Sequence, residues 1–329
     1  MANSALNGVV KNYPLHIRQL ERLSNGEGCN YCVTDVRGKQ YVLKVYLRAE
    51  AERVAFITTI LTFLAQTHLP VHFPVPVQNI QGQCFTVQAE HVLVVLHWIA
   101  GHTQLRITPP MAEELGSVVG GLDEQLAEFY HGHALDYSKY QDSLWNVTNI
   151  QRLAGDLEHL RGRLGDVYGI IKETMAHFVS ASSSWSQTLP WSVIHNDINL
   201  GNVLYDAHMQ LVGIIDFGEI CHTYRVCEVG VALAYVLQTS QKDYLQAGEY
   251  FVRGYTQSCT LSVAEQSVLL LVVKLRLCIT IIYNTMQQYG GQALTVSQAR
   301  FIRNTSALLT RLAKTTASEF QEQMFAGNG

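Results

Sequence analysis

The chain has 329 residues, 48% of them hydrophobic, and a formal net charge of −4 at pH 7. That length supports one large domain or two lobes with a packed core, and a chain with no basic run offers neither nucleic acid nor an anionic membrane an electrostatic footing. The N-terminal MANSALNGVVKNYP shows no apolar signal region, and seven scattered cysteines, an odd number, fit a reducing compartment, so a cytoplasmic location is expected.

Leu15 to Leu23 reads as a helix or lead-in. Ser24-Asn25-Gly26-Glu27-Gly28 is a glycine-bearing loop before a strand, Asn30 to Val36. Arg37-Gly38-Lys39 is the turn and Gln40 to Tyr46 the return strand. The pair Cys29 and Cys32 has no second pair at zinc-site spacing, and coincidence is the better reading. In the return strand, alternation puts Tyr41, Leu43 and Val45 on one face and Val42, Lys44 and Tyr46 on the other. An ammonium inside an apolar strand needs an anion unless it snorkels from an edge. Glu50 to Gln66 is a helix with Glu52, or Glu50, as the acid that could pair with Lys44.

Prolines 70, 74 and 76 lead into strands Cys84 to Gln88 and His91 to Trp98, and Ile99 to His102 reads as a hinge. Thr108-Pro109-Pro110 opens a helix whose Leu115, Val118, Val119, Leu122, Leu126 and Phe129 form a core stripe. Asp142 to Asn146 is a loop, and Asn149 to Ser180 is mainly helical. Beyond Asp216 the chain reads as all helix: Cys227 to Leu237, Gln241 to Cys259, Val263 to Tyr289 and Thr295 to Met324. The longest apolar segment, Val268 to Tyr283, carries Lys274 and Arg276 and reads as too short and too charged to cross a bilayer. Those two cations cannot share a helix face, so one is expected to be buried. A buried Arg276 would pair with a structural Asp or Glu, or hold an acidic group of a substrate.

The most informative stretch is Trp191 to Glu219, WSVIHNDINLGNVLYDAHMQLVGIIDFGE. Short apolar runs joined by turns put Asp197 and Asp216 on loops. His195-x-Asp197-x-x-x-x-Asn202 followed by Asp216-Phe217-Gly218 is the pattern of a kinase catalytic loop and its metal triplet. Phosphoryl transfer to a hydroxyl needs a carboxylate at the attacking oxygen, for which Asp197 is placed. It also needs oxygen ligands for Mg²⁺, which Asn202 and Asp216 supply. In that context Lys44 is expected to meet the nucleotide phosphates, Val42 to lie over the base, and Gly26 and Gly28 to cover the phosphates.

VIHNDINLGNVLY, GIIDFGEICHTYRVCEVGVALAYVL, YVLKV, NYCV, RLC at Arg276 to Cys278 and Trp145 together resemble the aminoglycoside phosphotransferase/choline kinase superfamily. Within it they are most similar to hydroxylysine kinases and the kinase-like domains fused to some aminotransferases. The resemblance implies an α+β, protein-kinase-like fold of two lobes, an antiparallel β N-lobe with one main helix over 1–98 and a mostly helical C-lobe over 99–329. It implies Asp197 as base, His195 as a brace of the loop, Asn202 and Asp216 as ligands of Mg²⁺, and Lys44 as the phosphate lysine. Glu219 stands where the subgroup usually has Asp, and Gly28 where it usually has an acid.

The expected activity is transfer of the γ-phosphoryl of ATP or GTP to a small hydroxylated acceptor, an amino alcohol or hydroxylated amino acid. Arg276 is the candidate for the acceptor's carboxylate, Glu219 for its ammonium, and Trp145 is a further candidate at the acceptor. Homoserine, choline and aminoglycosides remain within the same chemistry. A nucleotide-binding scaffold without turnover and a nucleotidyl transferase are the competing readings. No A-P-E element or long segment follows Asp216, which argues against a protein substrate.

Overall fold

β-Branched and aromatic residues either side of Arg37-Gly38-Lys39 form the expected hairpin in the computed structural model, which describes residues 8–23, 29–239, 244–291 and 295–326. Gly26 and Gly28 lie outside the described residues. Contacts divide the chain into two units, Met1–His102 with Val212–Gly218, and Thr103–Leu211 with Glu219–Gly329. The division read from the sequence, 1–98 and 99–329, thus differs by a few residues at the first break and by the return of the segment that carries Asp216.

The first unit is built on a five-stranded antiparallel sheet of β1 (Ile17–Arg22), β2 (Cys29–Asp35), β3 (Gln40–Leu47), β4 (Thr86–Gln88) and β5 (His91–His97), in the order β1-β2-β3-β5-β4. Leu15 to Leu23, expected as helix or lead-in, contributes strand β1, because pairing with β2 satisfies its backbone across a register shift near Ile17. β3 is central, with Lys44 opposite Asn30 on one side and Val94 on the other. Its Tyr41 and Leu43 join Tyr31, Val33, Leu93 and Val95 in a buried cluster on one face. α1 (Ala51–Leu64) buries Val54, Ile57, Ile60 and Leu61. Residues 212–218 are tied into this unit by His72, whose amide donates to Val212 O and whose carbonyl accepts from Ile214 N. Gly213 permits that approach, since a Cβ there would lie 2.9 Å from Ile99 Cγ2 and 3.2 Å from His72 O.

The second unit is mostly helical: α2 (Pro109–Gly132), α3 (Ala154–Leu164), α4 (Val167–Ala181), α5 (Val226–Thr239), α6 (Tyr244–Thr256), α7 (Val263–Tyr289), α8 (Val296–Leu312) and α9 (Ala317–Phe325). Three sequence expectations change here. Gly165, at φ 55, separates α3 from α4 within the long helical stretch. A capping box of Thr316 and Glu319 starts α9 and divides the final stretch. Cys221–Tyr224, expected within an all-helical tail, is a strand that pairs antiparallel with Trp191–Ile194, and burial of all four of its residues hides the alternation that marks a strand.

α2 and α6 cross at backbone distance. A Cβ on Gly116 would lie 2.0 Å from Phe251 O, and one on Gly254 would lie 1.9 Å from Glu113 O, so only hydrogen fits at either position. An ion pair of Arg253 with Glu113, at 2.6 Å, clasps the same crossing. α7 is longer than the apolar segment bounded in the sequence and passes the length and composition test for a membrane span. However, 78% of its most apolar window is buried inside the protein, as a core helix requires.

Candidate active site

In the first unit, β3 and the returning segment bring Lys44 and Asp216 to one point, with Nζ 2.6 Å from Oδ1. Asp216 has φ 64, a left-handed backbone that Asp tolerates better than most residues. Phe217 is buried edge-on against Phe73, with ring centroids 5.9 Å apart. Arg53 on α1 donates to Gly218 O. Val42 shares the Lys44 face, while Glu52 stands exposed in the first turn of α1 and Glu50 accepts from the Leu47 amide. A narrow cleft with room for about one water, ≈ 10 Å³, runs beneath Lys44 and Asp216 between Tyr46, Val54 and Val94.

In the second unit, strand Trp191–Ile194 feeds the polar loop His195 to Asn202. His195 is fully buried, and its Nδ1 accepts from the Asp197 amide at 3.2 Å. Asn196 turns the chain at φ 65; its amide donates to Glu228 Oε2 at 3.0 Å and its side chain to Glu219 O at 3.3 Å. Asp197 receives Asn199 Nδ2 at 2.9 Å and Asn202 Nδ2 at 2.8 Å on Oδ2, and Arg276 Nη2 at 2.5 Å on Oδ1. Because Asn202 commits its amide nitrogen to Asp197, its carbonyl oxygen is the end suited to a cation. A carboxamide oxygen is a hard donor of the kind Mg²⁺ takes, and so, in the first unit, is the Asp216 carboxylate.

Arg276 is 1% exposed on α7 and also donates to Trp145 O at 3.1 Å and to Tyr235 OH at 3.0 Å. Its guanidinium carbon sits 4.7 Å from the Trp145 ring centroid and 5.4 Å from that of Tyr235. Burial pulls its pKa down, but Tyr235 and Asp197 outweigh that and hold it above the ordinary value. Glu219 is half-buried and accepts from Ser143 Oγ at 2.7 Å. Trp145 rests against Tyr283 at 4.8 Å between centroids, on a loop pinned by Asn146 and Asn149. The structure therefore gathers Asp197, Asn202, Arg276 and Trp145 in one cluster of this unit.

Sequence reasoning missed Asn199, Tyr235 and Glu228. Glu228 had a signal: an acid inside the apolar run Val226-Cys227-Glu228-Val229 demands a polar partner as much as Lys44 does. It is fully buried beneath the loop, as is Asp123, which accepts from Tyr255 OH at 2.7 Å. Burial pushes both carboxyls up, and the Glu228 charge adds to the rise at Asp123. A carboxyl raised in the fold contributes stability that is full below the ordinary range, about 4. That contribution is lost as pH rises through the folded values. Asp123→Asn, neutral at every pH and still able to accept from Tyr255, should lose less stability than the wild type as pH rises above the ordinary carboxylate range, about 4. Urea midpoints over that rise check this, and parallel curves would refute it.

The signature of the phosphotransferase enzyme family matches residues 19–258, and the chain belongs to that family. It is thus a small-molecule phosphotransferase with an alcohol group as acceptor. The chain is 24% identical over 330 residues to the hydroxylysine kinase of Danio rerio, covering 94% of this chain and 91% of that one. It is 28% identical over 268 residues to the homoserine kinase of Polaromonas naphthalenivorans, covering 78% of each. Among solved structures, the amicoumacin kinase hAmiN in complex with AMP-PNP, Ca²⁺ and Ami matches with a TM-score of 0.73 at 15% identity over 96% of both chains. A microcompartment-associated aminopropanol kinase matches at 0.61 and 16% identity, over 94% of this chain and 97% of that one. The fold is the α+β, protein-kinase-like arrangement of this family, an antiparallel sheet followed by a mostly helical part.

Proposed function

We propose that the chain transfers the γ-phosphoryl of ATP or GTP to the hydroxyl of an amino alcohol or a hydroxylated amino acid. The observation that carries this is Asp197. Its carboxylate is held from both oxygens on a polar loop, in a chain that aligns over nearly its whole length with a hydroxylysine kinase. Asp197 accepts the proton of the attacking hydroxyl. Asn202 and Asp216 hold Mg²⁺, which when bound would draw charge from the phosphate oxygens and orient them. Lys44 meets the phosphates, and its contact with Asp216 brings the phosphate cation and a metal carboxylate to one point.

Glu219 takes the acceptor's ammonium. The Trp145 and Tyr235 rings already face Arg276, so a primary ammonium held by a carboxylate fits better than a quaternary one in an aromatic cage. The seven free cysteines suit a cytoplasmic location. The test is an NTP-consumption screen of amino alcohols and hydroxy amino acids with mass detection of the product. An acceptor gaining one phosphate supports the reading; one gaining a nucleotide, or no product with any acceptor, overturns it.

Lys44→Ala checks the phosphate contact. Its partner Asp216 is 48% exposed, so the lost ion pair should cost under about 1 kcal/mol of stability. Loss of a charge clamp on the phosphates should lower kcat by about 10²-fold. Steady-state kinetics beside urea unfolding read the two effects separately, and wild-type turnover would return Lys44 to a snorkelling surface cation.

A further inference from the structure

We infer that Arg276 is a positioning residue for Asp197, setting the orientation of its carboxylate, and is not a contact for the acceptor's carboxylate. This rests on the reading of Asp197 as the group that accepts the hydroxyl proton. A carboxylate rotates easily about its last bond. Here rotation is blocked from both ends, by Arg276 on Oδ1 and by Asn199 and Asn202 on Oδ2.

Arg276 is fixed in turn. Nη1 is spent on Trp145 O, Nη2 is shared between Asp197 and Tyr235, and two aromatic faces flank the guanidinium. Gripping a free carboxylate needs two adjacent N–H groups of the fork to reach it together. Nε has no hydrogen-bond partner among the described residues, but it is buried, and both terminal nitrogens are committed. An acceptor carboxylate could be gripped in that way only by displacing Asp197 or the Tyr235 hydroxyl from Nη2.

A cation buried at this depth is retained only against an anion that compensates its desolvation. Asp197 is that anion, and the 2.5 Å contact from Nη2 to Oδ1 fixes how its carboxylate is turned toward the attacking hydroxyl. The guanidinium also cancels much of the loop's negative charge, which would otherwise oppose an approaching phosphate. Neither effect requires contact with the acceptor, so removing the guanidinium should lower kcat more than it raises KM.

The experiment uses a matched pair of acceptors, homoserine and 3-aminopropanol, which differ only by the carboxylate. Wild type, Arg276→Met, Arg276→Lys and Asp197→Asn are compared for kcat and both KM values. With Arg276→Met, kcat should fall about 10²-fold on both acceptors while KM changes less than about threefold. Arg276→Lys, which keeps a donor toward Asp197, should recover part of kcat on both acceptors. Arg276→Met combined with Asp197→Asn should be no slower than Asp197→Asn alone.

A KM increase of tenfold or more confined to homoserine, with kcat retained, would overturn the inference in favour of a carboxylate contact. Wild-type kcat on both acceptors in a folded Arg276→Met protein would overturn it in favour of a purely structural ion pair. Should Arg276→Met not fold, Arg276→Lys decides: lowered kcat on both acceptors supports positioning, and a KM effect on homoserine alone refutes it. If Asp197→Asn itself keeps wild-type kcat, the assignment of the base has failed. If Asp197→Asn loses kcat and the Arg276 variants keep theirs, only the present inference has failed.

Discussion

Asp197→Asn should reduce kcat by about 10²–10⁴-fold, the usual contribution of a general base. The substitution is harsher here than an isosteric change suggests. Oδ1 accepts from Arg276, and Oδ2 accepts from Asn199 and Asn202. Whichever way an asparagine side chain is turned, its NH₂ faces another donor. It also leaves Arg276, only 1% exposed, without its anion. Breaking a buried pair from one side is costly, and with Asp197 23% exposed a loss of about 2–4 kcal/mol is expected. Nucleotide affinity should stay within about threefold, since Asp197 is assigned to the hydroxyl and not to the phosphates. Single-turnover kinetics, urea unfolding and calorimetric titration with a non-hydrolysable nucleotide read the three quantities. Wild-type kcat in a folded Asp197→Asn protein would remove Asp197 from the mechanism.

Legibility in the sequence followed from how local each signal was. The alternation in Tyr41 to Tyr46 is a property of one strand, so both the strand and the anomalous Lys44 were visible before any contact was known. The partner of Lys44 was not, because Asp216 stands far along the chain and reaches the first unit through backbone pairing at His72. Strand β1 was misread for lack of alternation: its burial runs in threes, which is nearer a helix period than a strand period. Cys221–Tyr224 was misread because it is buried on both faces. For Arg276 the physics gave the need for an anion but left two sources open, and of these the contact observed is an internal one, Asp197. Glu228 was the avoidable omission, since its apolar neighbours announce a buried acid as plainly as those of Lys44 announce a buried base.

Asp216→Asn should abolish Mg²⁺-dependent turnover, with kcat down by at least about 10²–10³-fold. Asparagine is a better probe than alanine at this position. With φ 64 the residue is left-handed, which asparagine adopts with little strain and alanine does not. Because Asp216 is 48% exposed, losing its ion pair with Lys44 should cost under about 1 kcal/mol. A collapse of activity in this variant would therefore report on charge at the site and not on unfolding. The binding readout is independent of turnover. In the wild type, nucleotide with Mg²⁺ should raise the melting temperature more than nucleotide alone, because a ligand held only by the folded state stabilises it by mass action. In Asp216→Asn that difference should vanish, while the shift given by nucleotide alone should persist or grow, since removal of a carboxylate beside Lys44 leaves its ammonium to the phosphates. If the variant keeps the full Mg²⁺-dependent increment, Asp216 is a structural partner of Lys44 and the metal is held by other groups.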